Sequence, residues 1–245
     1  MPEHPPSICI VIPTYNERDN LDPLLSCIFD HLPDARVLFV DDGSPDGTAD
    51  AADAIAQEQD WHVNVLRRTE KAGLGAAYMA GFDHVLTEWP EAEFIVQMDA
   101  DLSHDPGSIP DLIDAMDNAD VAIGSRYTPG GRTENWPFQR ELLSRMGTLY
   151  TRLVTGLPLS DCTGGFKCWR AETLRELRAT QAQSNGYCFQ IEMNFCAWRA
   201  GYRMVDVPIV FRERERGESK IHLGITIEAL AVVLKLGLQR FSKAK

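Results

Sequence analysis

The segment QMDADLSHDP, Gln97 to Pro106, carries Asp99, Asp101 and Asp105 within seven residues, directly behind the apolar run FIV. If FIV closes a buried strand, Asp99 and Asp101 lie two apart on extended backbone. Alternate side chains share a face there, so both carboxylates point into one space. Two like charges held that close call for a cation. Hard oxygen donors with room for water and phosphate oxygens suit Mg²⁺ or Mn²⁺, which bind through one or two carboxylates plus substrate phosphates. A calcium loop would use Asp99, Asp101, Ser103 and Asp105, but His104 stands where that loop needs glycine and Pro110 where it needs glutamate. Solvated turn aspartates are the alternative without chemistry.

Other apolar runs end the same way. ICIVI leads into PTYNE (Pro13 to Glu17), VLFV into DDGSPDGT (Asp41 to Thr48), and a fifth run ends in GSRY (Gly124 to Tyr127). Ligands of open α/β sheets sit outside the carboxyl ends of strands, so four loops converge on one edge. Asp42, directly behind its strand, is placed to accept hydrogen bonds from the N–H groups of a nucleotide base. Asp46 and Thr48 read instead as a helix cap. KAGLGAAYMAG lacks the third glycine of a dinucleotide fingerprint, and no ribose-binding acid follows a second strand on schedule, which argues against a Rossmann dehydrogenase.

The elements that position these loops are strands at ICIVI, VLFV, VNVL, FIVQM and VAIG, alternating with helical patterns. Asn20 is expected to cap a helix over LDPLLSCIFDHL, Thr48 one over ADAADAIAQEQ, and Ser108, with Pro110 in the first turn, one over PDLIDAM. A βα pattern repeated at least four times predicts an α/β fold with a mainly parallel sheet flanked by helices. After about Gly131 the alternation fades. The remainder of the chain carries a helix near RELLSRMGTLYTRLVTG, a Gly-rich turn at DCTGGF, a helix through FQIEMNFCAWRAG and a late strand VDVPIVF.

The 245 residues, 44% hydrophobic, can bury a sizeable core. A formal net charge of -12 repels polyanions, so no nucleic-acid partner is expected. The six cysteines form no C-x-x-C pair and read as free thiols of a reducing compartment. MPEHPPSICI lacks the pattern of a secretory signal, and no stretch offers about 18 uninterrupted apolar residues, so a cytoplasmic protein is expected.

VIPTYNE, VDDGSPDGT, KAGLGAA, MDADLSH, GSRY, DCTGGF, GYCFQIEM and FRERERGESK occur in an order and spacing that resemble the family 2 glycosyltransferases, among them the dolichol-phosphate or polyprenol-phosphate mannose synthases. The likeness covers roughly residues 7 to 222. It implies a GT-A (nucleotide-diphospho-sugar transferase) domain over residues 1–220, GDP-mannose as donor, Mg²⁺ or Mn²⁺ as cofactor, and a polyprenyl (dolichyl) phosphate lipid as acceptor. Position by position, it assigns nucleotide contacts to Pro13, Tyr15, Glu17, Val40 and Asp42. The acidic motif falls on Asp99, Ala100 and Asp101, with Asp101 as principal metal ligand, and Ser103 stands where some relatives carry glutamine as a third candidate contact. Arg126 would meet phosphate, and Arg214 and Lys220, with Ser219 between them, would close over the donor. NWPFQRELLSR looks like the acceptor-loop segment, which nominates Arg140, Ser144 and Arg145 alongside Arg126 for the lipid phosphate.

Chemically, Asp101 with its metal, Arg126, Arg214 and Lys220 would stabilise the departing diphosphate. A phosphate acceptor needs no general base, because its second pKa is about 6 and it is largely dianionic at pH 7. It needs positioning by arginines. A single in-line attack inverts the anomeric centre. Arg199, Arg203, Arg212, Arg214, Arg216 and Lys220 read as the basic cluster such a site requires, with a solvated charged strand beside Glu213, Glu215 and Glu218 as the alternative.

Residues 221–245 form a second unit, an amphipathic helix whose Glu228, Lys235 and Gln239 mark a narrow polar stripe. It is too interrupted to span a membrane. It suits a membrane interface, with Lys235, Arg240, Lys243 and Lys245 facing anionic headgroups, or packing on its own domain. The expected location is cytoplasmic, peripheral on the inner face of the membrane, with an integral-membrane partner protein as recruiter. UDP-glucose or another sugar nucleotide is the alternative donor. A processive polysaccharide synthase is disfavoured by the missing Q-x-x-R-W motif. A non-catalytic nucleotide- or glycan-binding subunit is disfavoured by the intact acidic pair, Arg126, Arg214 and Lys220.

Overall fold

The computed structural model describes residues 7–177, 186, 188–213 and 223–240. The first half is a βα series: β1 (Ile8–Thr14), α1 (Leu21–His31), β2 (Arg36–Asp41), α2 (Thr48–Gln59), β3 (Val63–Arg67), α3 (Leu74–Glu88), β4 (Phe94–Gln97), α4 (Ile109–Asp114) and β5 (Val121–Ser125). The second half holds β6 (Arg132–Glu134), α5 (Phe138–Thr155), β7 (Lys167–Arg170), α6 (Ala171–Leu177), α7 (Cys188–Arg199), β8 (Met204–Pro208), β9 (Val210–Arg212) and α8 (Leu223–Gln239). Seven strands form one sheet in the order β3-β2-β1-β4-β7-β5-β8, parallel except for β7. β6 and β9 form a small parallel pair beside it.

Both faces of the sheet are covered, which is why its strands read as continuous apolar runs. Cys9, Val11, Leu38 and Val40 face a core shared with Tyr78, Phe82 and Val85 of α3 and Phe189 and Phe195 of α7. Ile10, Ile12, Val37 and Phe39 face one shared with Leu21, Leu24, Leu25 and Ile28 of α1. α3 lies so close to the sheet that a Cβ on Gly81 would stand 2.5 Å from Val11 Cγ1.

None of the three expected residues caps its helix through its side chain. Asn20 is itself helical and donates to Glu17 at 2.7 Å without capping α1. Thr48 is the first residue of α2 behind Gly47 (φ 80°), and Asp46 accepts its N–H at 3.0 Å. Asp105, not Ser108, accepts from Gly107 N at 3.0 Å before α4. The expected strand VDVPIVF is divided: Met204–Pro208 pairs with β5, whereas Val210–Arg212 leaves the sheet to pair with β6, the buried Ile209 marking the switch.

α5 and α8 pack together. Gly237 permits their approach, since a Cβ there would stand 2.5 Å from Val154 Cγ1, and Tyr150 Oη donates to the Leu230 carbonyl at 3.3 Å. Val233 and Leu236 anchor α8 in the core shared with α3 and α7. The outer faces remain apolar. Phe138, Leu142, Met146, Leu149 and Leu153 of α5 and Leu230, Leu234 and Leu238 of α8 are all exposed, at spacings that align them along each helix.

Candidate active site

β1, β2 and β4 are neighbours, with Pro13 opposite Val40 and Val11 opposite Gln97, so their carboxyl ends open on one edge. The loop after β2 is locked through Asp41, which accepts from Thr14 Oγ1 at 3.1 Å, Ser44 N at 2.9 Å and Ser44 Oγ at 2.5 Å. Beside it Asp42 is buried and ion-paired to Arg68 at 2.7 Å. Burial pushes its carboxyl above the ordinary value although Arg68 pulls the other way. The Tyr15 ring lies 3.7 Å beneath Lys71 Nζ, and Glu17 N donates to Thr48 Oγ1 at 3.0 Å. Pro13, Tyr15, Glu17, Val40 and Asp42 thus gather at one place, with Arg68 and Lys71 as cations that the sequence reading did not select.

The acidic pair is held differently from the extended geometry expected. β4 ends at Gln97, and Asp99 to Ser103 follow a tight turn in which Leu102 adopts φ 61°. Asp101 is buried because Ser103 turns back on it, donating from N at 3.1 Å and Oγ at 2.5 Å to Oδ1. Asp99 Oδ1 accepts from the buried Tyr78 hydroxyl at 3.1 Å, and Asp99 N donates to His104 Nδ1 at 3.0 Å. Burial lowers the pKa of His104, in keeping with a neutral ring that accepts at Nδ1. Among the described residues no group of three His, Cys, Asp or Glu side chains gathers to cage a metal. The donor set fits an ion held by one or two carboxylates and completed by phosphate oxygens.

Arg126, at the end of β5, is buried in a bidentate pair with the fully buried Asp161, Nε to Oδ2 at 2.6 Å and Nη2 to Oδ1 at 2.8 Å. Nη2 also reaches Thr163 Oγ1 at 2.8 Å. Burial works to raise Asp161, but Arg126 outweighs it and holds the carboxyl below the usual range. Tyr127, Trp136 and Phe211 surround the guanidinium, with ring centroids 5.1, 5.3 and 5.5 Å away. These contacts leave Nη1 as the edge of Arg126 without a protein partner among the described residues. Arg140 stacks 4.1 Å over Trp136 and is paired with Glu213, and Arg145 stacks 4.4 Å over Tyr127.

One cavity of about 270 Å³ is lined by Asp99, His104, Arg126, Trp136 and Arg140, whereas Asp101, Arg145 and the nucleotide-contact candidates Pro13, Tyr15, Glu17, Val40 and Asp42 stand outside its lining. Its lining combines Asp99, Arg126, Arg140 and Ser144 with Leu143 and Leu230, both also exposed on the helix pair.

Of the expected basic cluster, the three described arginines do not come together. Arg203 precedes β8 and its N donates to Asp120, just before β5, at 2.7 Å, which puts it at the opposite edge of the parallel strands. Arg199 donates to the Gln239 carbonyl at 2.5 Å, and Arg212 lies 3.5 Å from Glu134 and 3.7 Å from Asp105. Arg214, Arg216, Ser219 and Lys220 lie outside the described residues.

The model of a family described as glycosyl transferase family 2 matches residues 9–178. The chain belongs to that family. An undecaprenyl-phosphate mannosyltransferase of Micrococcus luteus is 48% identical over 231 residues, covering 94% of each chain. A polyprenol monophosphomannose synthase of Mycolicibacterium smegmatis is 44% identical over 238 residues, 96% of this chain and 89% of its own. A solved structure of glucosyl-3-phosphoglycerate synthase from Mycobacterium tuberculosis, with Mn²⁺, uridine diphosphate and glucosyl-3-phosphoglycerate, superposes with a TM-score of 0.69 at 16% identity. It covers 94% of this chain and 80% of that one, and shares the fold. The protein is a glycosyltransferase of the GT-A architecture.

Gln190, which lines this glycosyltransferase's cavity, belongs to a buried polar network absent from the sequence reading. Lys167 of β7, fully buried, donates from Nζ to Gln190 Oε1 at 2.6 Å and to the Gln190 carbonyl at 3.2 Å. Gln97 Nε2 donates to the same Oε1 at 2.6 Å. Burial lowers the Lys167 pKa from 10.5 to about 7. Between those values the unfolded chain holds a proton that the folded state lacks, so this residue makes stability rise with pH from about 7 to 10.5. Below about 7 the cost is fully present. Lys167→Met is expected to flatten that rise, by up to about 1.4 kcal/mol per pH unit. Urea unfolding of both proteins across the window reads the difference, and parallel stability curves would contradict it.

Proposed function

We propose that this glycosyltransferase moves mannose from GDP-mannose to a polyprenyl phosphate, inverting the anomeric centre and giving polyprenyl-phosphate-mannose. The observation that carries the reading is a cavity whose lining combines Asp99 and Arg126 with Leu143 and Leu230 of the apolar helix pair. An acceptor that carries a phosphate on a hydrocarbon chain matches both kinds of lining. The relatives' names support the same substrate class.

The nucleotide would lie over Pro13, Tyr15, Glu17, Val40 and Asp42. Asp99 and Asp101, with Ser103 bracing the latter, would hold Mg²⁺ or Mn²⁺, which supplies positive charge to the diphosphate. Arg126 Nη1, Arg140 and Ser144 would orient the acceptor phosphate, Arg145 guarding its rim. A phosphate oxygen attacks the anomeric carbon as the bond from that carbon to the donor's β-phosphate oxygen breaks, and GDP departs with the electron pair. Arg214 and Lys220 would add charge to the leaving diphosphate. No base among the protein's side chains is required, since the acceptor arrives deprotonated.

Purified protein incubated with polyprenyl phosphate and either radiolabelled GDP-mannose or UDP-glucose tests this, with Mg²⁺ or Mn²⁺ and again with EDTA. Label in the lipid phase from GDP-mannose, abolished by EDTA, is the expected result. Label from UDP-glucose alone would transfer the assignment to the alternative donor, and none from either would contradict the reading.

No helix among the described residues is long and apolar enough to cross a membrane. The exposed stripes on α5 and α8 favour a peripheral attachment in which both helices lie on the lipid surface, at roughly 1.5–3 kcal/mol per leucine fully buried there. Leu142→Glu combined with Leu234→Glu alters exposed positions only and is expected to release the protein from vesicles containing anionic lipid while leaving its Tm unchanged. Undiminished co-flotation of the double variant would contradict this attachment.

A further inference from the structure

Gln190 is 2% exposed and lines the cavity, yet its Nε2 has no hydrogen-bond partner among the described residues. Its orientation is fixed, because Oε1 already accepts from both Lys167 Nζ and Gln97 Nε2 at 2.6 Å, and a flipped amide would set donor against donor. The buried Nε2 therefore carries the donors, and it lies near Gly165. A Cβ on Gly165 would lie 3.5 Å from Gln190 Nε2, 3.5 Å from His104 Cε1 and 3.8 Å from Asp99 Oδ2. The missing side chain leaves a small cradle with an amide donor on one wall and a carboxylate acceptor on another.

A hydroxyl answers both walls, donating to the carboxylate while accepting from the amide. An uncharged group with a donor and an acceptor of its own fits this pair of walls. We propose that Gln190 and Gly165 form the recognition point for one hydroxyl of the transferred sugar. Gln190 supplies the donor, Gly165 the space, and Lys167 and Gln97 hold the amide in its working orientation. The inference rests on the sugar-nucleotide reading above and adds to it the residues that sense the sugar. A buried donor that only the sugar satisfies also discriminates against a substrate lacking that hydroxyl.

Two variants separate the parts. Gly165→Ala puts a methyl at ordinary van der Waals distance from its neighbours, so the fold survives while the cradle is filled. Gln190→Glu keeps an acceptor for Lys167 and Gln97 while removing the amide donor. For the full-length protein, calorimetry compares GDP with GDP-mannose and UDP with UDP-glucose, and transfer assays give kcat and KM. Both variants are expected to bind the nucleoside diphosphate like wild type and to lose about tenfold or more in kcat/KM for the sugar donor. Wild-type-like transfer by both variants, with the wild type active, would overturn the inference and leave the proposed function standing. An equal loss of GDP affinity would overturn it in favour of a ribose contact. A wild type that binds no sugar nucleotide would remove both.

Discussion

Asp101→Ala is expected to lower mannosyl transfer by about a thousandfold or more while the protein remains folded. The carboxylate sits on a turn that the backbone reaches only by placing Leu102 at φ 61°, and Ser103 donates to it twice. Such support fixes the position of an anionic oxygen, which a stability role at the end of a strand would not demand. Losing the charge that balances a departing diphosphate costs several kcal/mol of transition-state stabilisation, and each 1.36 kcal/mol is a factor of ten. The fold loses less. Ser103 N and Oγ are left without their acceptor, roughly 1–3 kcal/mol in a buried setting. Single-turnover transfer, metal-dependent GDP binding and thermal unfolding measured on one preparation separate the effects. Turnover like that of wild type would contradict the metal assignment.

Asp161→Asn is expected to act in the opposite sense, mainly on stability. Arg126 and Asp161 are both buried and joined by two hydrogen bonds, so removing the carboxylate charge strands a guanidinium in the interior. Breaking one partner of such a pair typically costs about 3–5 kcal/mol. The pH dependence identifies the cause. The folded pKa of Asp161 is depressed below 3.8, so its contribution is present above that value and lost as the pH falls through the lower one. The stability gap between wild type and variant is therefore expected to be full at pH 7 and to close in strong acid. Urea unfolding at both conditions reads it, and a gap below about 1 kcal/mol at pH 7 would contradict the pairing.

Much of the first half was legible in the sequence because its strands are buried on both faces and end in turn residues, which makes β1, β2, β4 and β5 continuous apolar runs. β7 was not, since Lys167 and Arg170 bound a four-residue segment whose charge reads as loop. Only the fold shows that Gln190, 23 positions downstream, accepts from that lysine. DCTGGF signalled a turn, but the partner of its Asp161 is 35 residues upstream and nothing local reveals the pair. Arg199, Arg203 and Arg212 part for a related reason: they are close in sequence, but Arg199 ends α7, Arg203 lies in the turn before β8, and Arg212 ends β9. The stripe from Phe138 to Leu153 was open to view in its helical spacing, hidden only by the arginines interleaved on other faces of α5.

The central claim is that one cavity receives the lipid phosphate beside the acidic turn and passes its chain between α5 and α8. The measurement that tests it most directly is a crystal structure of the protein with GDP, Mg²⁺ or Mn²⁺ and a short polyprenyl phosphate. The expected density places a phosphate oxygen about 3 Å from Arg126 Nη1, with the hydrocarbon running past Leu143 and Leu230. A lipid phosphate bound elsewhere, or a chain that leaves the cavity on another side, would contradict the account.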